Sequence, residues 1–148
     1  MPDVIGNGEA TIAQWNKYAK IVESCKIPLA VAVQDGMTRD DVRSLNPKPE
    51  VIAVGGTTEW KWETVEMWAR SFPRVHVLRC NSPTRLYELE AMGVESCDGT
   101  GWNRGDKKQT RGLEEWARQK AIPSTHWLSD HTCKGSRNRN NKNQISFA

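Results

Sequence analysis

Asp98 stands on an unusually bare turn. The stretch "GVESCDGTGW", residues 93–102, sets the Asp98 carboxylate among three glycines, with Cys97 directly before it. An Asp before a glycine is common in ordinary turns, but a turn this bare would also leave its carboxylate open to a ligand. Other residues able to read a ligand recur along the chain: Asp3 before Gly6-Asn7-Gly8, Gln34-Asp35-Gly36, Gly55-Gly56, then Arg79, Asn81 and Ser82. The Gln34 amide offers a donor and an acceptor. Paired glycines let a flat ligand approach the backbone. Together these residue types suit a planar heterocycle with an amide edge, such as a purine-like base. The same types also make ordinary strand-to-helix turns, and spacing alone leaves both readings open.

The elements that must position these residues alternate. Strands are predicted at 2–6 ("PDVIG"), 28–33 ("PLAVAV"), 50–54 ("EVIAV"), 74–79 ("RVHVLR") and 94–98 ("VESCD"). The continuous apolar runs at 28–33 and 50–54 mark strands buried on both faces of a parallel sheet. Helices are predicted at 9–25, with Ile12, Trp15, Ala19 and Val22 on one stripe, at 38–45 behind a Thr38 cap, and at 57–72, with Trp62, Val65 and Trp68 aligned. A fourth, 82–93, has Ser82 as cap, Pro83 in its first turn and Gly93 as stop, and a fifth covers 110–121. Strand and helix repeating about every 22–24 residues imply parallel βαβ units with right-handed crossovers. A complete eight-stranded barrel takes roughly 200 residues or more. The expected fold is therefore α/β: either a small open sheet or a partial (β/α)8 TIM-type barrel of about five parallel strands. Chemistry in such folds collects at the carboxyl ends of the strands, where all the residues above fall.

Composition limits the partners. The chain has 148 residues, 37% of them hydrophobic, and seven tryptophans against two Phe and two Tyr. One domain is expected over 1–133, followed by a basic tail, 134–148, that carries Lys134, Arg137, Arg139 and Lys142 and no acid. That tail either neutralises phosphates or keeps the chain soluble. The net charge of +3 is too small to establish a nucleic-acid partner by itself. Four scattered cysteines without a CxxC pair point to a reduced, intracellular protein. With no signal peptide and no apolar run near 18 residues, neither secretion nor membrane insertion is expected, and the cytoplasm is the expected location. Weaker candidates have plainer readings. His76 reads as a core or edge residue and Cys97 as a small core-facing residue, while Trp60 and Trp62 read as packing for the third helix. His126, His131 and Cys133 are too few and too far apart for a structural zinc site. No metal or cofactor is expected.

Four segments together resemble the tRNA-guanine transglycosylase superfamily. "PLAVAVQDGM" is similar to the segment whose Gln binds the base, and "VIAVGGTTEWK" to the following strand and its Gly-Gly. "RVHVLRCNSPTRLYELEAMGVESCDGT" resembles the strand-helix-strand that leads to the catalytic aspartate. "PDVIGNGEATIAQW" resembles the segment whose Asp helps hold the base. The match covers residues 2 to 102 in order, and its wording is closest to the phage and bacterial branch that inserts deazaguanine bases into DNA. The resemblance implies that Asp98 is the nucleophile that displaces guanine. It implies that Asp3 and Gln34 hydrogen-bond the incoming base, and that Gly55 and Gly56 offer backbone contacts. The expected activity is a pentosyltransferase's exchange of guanine for a 7-deazaguanine on nucleic acid, DNA favoured over tRNA. Arg79, Asn81, Lys134, Arg137 and Arg139 would contact the nucleic acid.

The resemblance stops short in two places. The family's second carboxylate, on a "DSGGFQ"-like segment before the equivalent of Asp3, has no counterpart, and neither does its CxCxxC zinc motif. The matched region begins at the equivalent of the family's fourth strand. A homo-oligomer or a second chain is therefore expected to supply the remaining strands. Two alternatives follow: a non-catalytic remnant or accessory subunit that binds a deazapurine or nucleic acid, and an unrelated small phosphate- or nucleotide-binding α/β domain.

Overall fold

The computed structural model describes residues 2–104 and 107–120. Five helices and four strands alternate in chain order: α1 (Gly8–Glu23), β1 (Ala30–Val33), α2 (Arg39–Ser44), β2 (Val51–Val54), α3 (Thr58–Ser71), β3 (Val75–Val77), α4 (Pro83–Ala91), β4 (Ser96–Cys97) and α5 (Lys107–Gln119). A single 3-10 turn, Thr100–Asn103, follows β4.

Local chemistry starts and stops these elements. The Asn7 side chain accepts from the Ala10 amide and caps α1. Thr38 and Asp41 form a reciprocal capping box on α2. Gly93 ends α4 in the left-handed region at φ +77°. There the Val94 amide bonds to Leu89 O at 3.0 Å and the Gly93 amide to Glu90 O at 2.9 Å, the paired closure that glycine permits.

The four strands form one parallel sheet in the order β1-β2-β3-β4, so each strand pairs with its neighbour in the chain. The register aligns Ala32, Ala53, His76 and Ser96 in one row, and Val33, Val54, Val77 and Cys97 in the next. Side chains alternate across a strand, so the two faces differ in kind. Val31, Val33, Ile52, Val54, Val75 and Val77 join Trp15, Val42, Val65, Trp68, Leu86 and Leu89 of the helices in a single core. The opposite face carries Ala30, Ala32, Val51, Ala53, His76 and Ser96. A hollow of about 290 Å³ lies there, lined by Ala30, Val51, Ala53, Arg74, His76, Glu95 and Ser96.

Two expectations change. Residues 2–6 are no strand, and the described sheet has four strands rather than five. The backbone of this segment is satisfied by side chains instead of a ladder. The Val4 amide donates to Thr11 Oγ1 at 3.0 Å, and the Gly6 amide to Gln34 Oε1 at 3.0 Å. The apolar runs of β1 and β2 are buried on both faces beyond their first residues: Val31, Val33, Ile52 and Val54 on one side, Ala32 and Ala53 on the other, with Ala30 and Val51 half-buried beside the hollow. The stripe of α3 also shifts. Lys61, Val65 and Trp68 are its buried residues, while Trp62 is only half-buried. The 1–133 domain boundary and the basic tail lie outside the described residues. No described helix is long and apolar enough to cross a membrane.

Candidate active site

The carboxyl ends of the strands are tied into one hydrogen-bonded rim. At the end of β1, Gln34 is 1% exposed. Its Nε2 donates to Asp3 Oδ2 at 2.6 Å, and its Oε1 accepts from the amides of Gly6 at 3.0 Å and Gly56 at 2.8 Å. The next residue, Asp35, accepts from the amide of Thr57 at 2.7 Å and its hydroxyl at 2.6 Å, which caps α3 from the neighbouring strand end. Burial pushes the Asp35 carboxyl upward, but the two bonds from Thr57, helped by the Arg79 charge, leave it below the ordinary carboxylate value.

Gly55 and Gly56 end β2 and are both buried. A side chain at Gly56 would meet the Asp35 carboxylate and approach Trp60 to 2.6 Å, and the residue already sits at φ +78°. These glycines are what lets Gln34 and Asp35 reach across. The Gly56 carbonyl in turn accepts from the Arg79 guanidinium.

Arg79 follows β3 in the left-handed region, φ +57°. That conformation costs a non-glycine residue about 1 kcal/mol. It points the Arg79 amide at Asp98 Oδ1, 2.6 Å away. Lys61 holds the same loop from below: its ammonium, buried under the turn, donates to Leu78 O at 2.8 Å and Arg79 O at 3.3 Å. Burial, then the nearby Arg79 charge, lower the Lys61 pKa.

Asp98, just after β4, has a side chain 55% exposed, with His76 Nε2 3.8 Å from Oδ1. His76 Nδ1 lies 2.8 Å from Ser96 Oγ. This imidazole therefore spans from the hollow to the rim carboxylate. Sequence reading placed His76 in the core or at an edge. Its signal was the alternation in Val75-His76-Val77, which sends the two valines to the helices and His76 to the other face. Beneath the rim, Cys80 and Cys97 share a hydrogen bond. That bond, against the effect of burial and with help from Lys61 and Arg85, pulls the Cys80 thiol down to about 7, and Cys97 is pushed up.

The structure thus brings Asp3, Gln34, Gly56, Arg79 and Asp98 into one connected rim. Asn81 sits beside it: its Oδ1 accepts from the Gly101 amide at 2.8 Å, which folds the Asp98 loop back on the β3–α4 turn. Trp60 and Trp62 pack as read. Trp60 lies 6.3 Å from Trp68, and the Trp62 ring has Lys61 at 4.8 Å and Arg85 at 4.4 Å from its centroid. Lys134, Arg137 and Arg139, with His126, His131 and Cys133, lie outside the described residues. Among the described residues no cluster of three His, Cys, Asp or Glu is placed to hold a metal. Compared with known proteins, the chain matches no family model, no curated protein and no solved structure.

Proposed function

We propose that this chain carries the nucleophilic half of a base-exchange transglycosylase that replaces guanine with a 7-deazaguanine in nucleic acid, DNA rather than tRNA. The observation that carries the reading is the Asp98 carboxylate. It is half exposed at the carboxyl rim, oriented by the Arg79 amide, with the His76 imidazole 3.8 Å from Oδ1. In the first step a free Asp98 oxygen bonds to the anomeric carbon, the glycosidic C–N bond breaks, and guanine leaves with its electron pair and takes up a proton. In the second step the deprotonated ring nitrogen of the incoming base attacks the same carbon. The ester C–O bond breaks and the carboxylate is restored.

His76 Nε2, 3.8 Å from Asp98 Oδ1, is suited to pass the proton between the two bases. Asp3 is exposed and keeps one carboxylate oxygen for the donor edge of a base. Gln34 is a positioning residue here, since its amide is spent on Asp3, Gly6 and Gly56. A second copy or a second chain would cover the hollow and close the site.

The test is release of radiolabelled guanine from duplex DNA, single-stranded DNA and tRNA on addition of a 7-deazaguanine. Release that disappears in Asp98→Ala, together with a covalent protein–nucleic acid adduct in the wild type, is the expected result. Release unchanged in Asp98→Ala overturns the reading. The engagement of the Gln34 amide oxygen by two backbone N–H groups favours a second reading, an accessory subunit that binds without exchange. Nucleic-acid binding with neither release nor adduct would assign it.

A further inference from the structure

We propose that the groove between α4 and α5 is a phosphodiester-binding site that seats a nucleic-acid strand beside Asp98. The proposal rests on the reading of the chain as acting on nucleic acid. The groove encloses about 930 Å³. Ser82 and Thr84, at the start of α4, line one wall, and Lys107, Lys108 and Arg111 of α5 line the other.

Lys107 and Arg111, at positions i and i+4, set like charges side by side at one end of a helix, where they repel. Lys107 and Lys108 also lie in the first turn of α5, where the helix dipole disfavours a cation. Neither α4 nor α5 has an acid in its first turn, whereas α1, α2 and α3 carry Glu9, Asp40 with Asp41, and Glu59 there. The one carboxylate on the lining, Glu115, is ion-paired with Arg118 and accepts from Gln119 at 3.0 Å. No ion pair forms to Lys107 or Arg111 among the described residues. This arrangement weakens the free protein and suits a bound polyanion.

The groove also runs into the rim. Asn81 lines its inner end and holds the Gly101 amide, and the Cys80 amide bonds to Asp98 O at 2.6 Å. A nucleotide turned onto Asp98 would therefore leave its flanking phosphates at the mouth of the groove. Continuity with the reacting carboxylate selects a strand over a free anion.

The experiment is fluorescence anisotropy of a labelled short single-stranded DNA across a salt series. It compares wild type with Lys107→Glu/Arg111→Glu, with Lys17→Glu/Lys20→Glu on the far helix α1, and with Asp98→Ala. Circular dichroism and thermal melts verify that each variant folds. The groove variant should bind at least about tenfold more weakly at low salt, with a log–log salt slope shallower by about 1.4, the value for two lost single-strand phosphate contacts. The α1 variant should stay within about twofold, and Asp98→Ala, which removes a negative charge from the rim, should bind no more weakly than wild type. Unchanged affinity and slope in the groove variant would overturn the proposal. So would inorganic phosphate competing as well as DNA per phosphate. Groove-dependent binding without guanine release would leave the site standing and sink the base-exchange reading, while guanine release that ignores the groove variant would do the reverse.

Discussion

Replacing Gln34 with methionine separates an anchoring role from a ligand-reading one. Methionine keeps the length and bulk of the side chain but accepts only weakly. The buried Gly56 amide then loses its partner, which costs about 1–3 kcal/mol. The Gly6 amide and Asp3 are exposed and recover water, so each adds only about 0.5–1 kcal/mol. The loss should total about 2–5 kcal/mol. In urea, followed by tryptophan fluorescence and far-UV circular dichroism, the midpoint should fall by about 1–2.5 M at a slope near 2 kcal/mol/M. Gln34→Glu sharpens the test. A carboxyl there would face Asp3 Oδ2 from a buried site, and both burial and the neighbouring charge raise its pKa in the folded state. The folded protein then binds that proton more tightly than the unfolded chain. Stability relative to wild type should therefore be retained below about pH 4 and be lost as pH rises through the raised value. Adding Asp3→Asn should restore much of the loss at neutral pH. A Gln34→Met protein within about 0.5 kcal/mol of wild type would show that the amide holds nothing together, and Gln34 would be free to read a base.

Gly56→Ala combines a left-handed φ with contact against Asp35 and Trp60, and should cost about 3 kcal/mol or more in urea melts. Gly112→Ala should gain about 1 kcal/mol of helix propensity, yet its methyl would come 2.5 Å from Pro83 Cβ. A net loss and faster proteolysis within α5 are expected, and a net gain would mean that α5 does not rest on α4. Cys80 ionises near 7 in the folded state and near 9 when unfolded, so the unfolded chain holds more protons between those values. Wild-type stability should rise from pH 7 to 9 relative to Cys80→Ser, then fall back above 9 because Cys97 keeps its proton. Equal pH dependence of the two proteins would refute the thiol pairing.

Strands β1 to β3 and helices α1 to α4 were legible because their signals are local: apolar runs, caps at Asn7 and Thr38, a stop at Gly93. Residues 2–6 were not. Val4 and Ile5 look like strand, but the outcome depends on whether Gly6 finds a ladder or the distant Gln34 amide, and no window around residue 6 contains that choice. The α3 stripe failed for a different reason. Lys61, Val65 and Trp68 follow the helical period better than Trp62 does, yet a lysine is not counted as core unless carbonyls such as those of Leu78 and Arg79 are known to wait for it. Asp98, Gln34 and Gly56 were correctly assigned to strand ends, while their mutual bonding depends on register. Lys107, Lys108 and Arg111 look like any exposed helix face in the sequence, and only the placement of α4 opposite makes them one wall of a groove.

The order of the sheet has a kinetic consequence. Each strand pairs with one about twenty residues away, Ala30 with Val51, Ile52 with Val75 and His76 with Ser96. Every ladder therefore closes over a short loop, which keeps the entropic barrier to folding low for a parallel sheet. The chain can assemble stepwise as it leaves the ribosome, each βα unit settling onto the one already formed, and either flank can accept a further unit without rearranging what is in place.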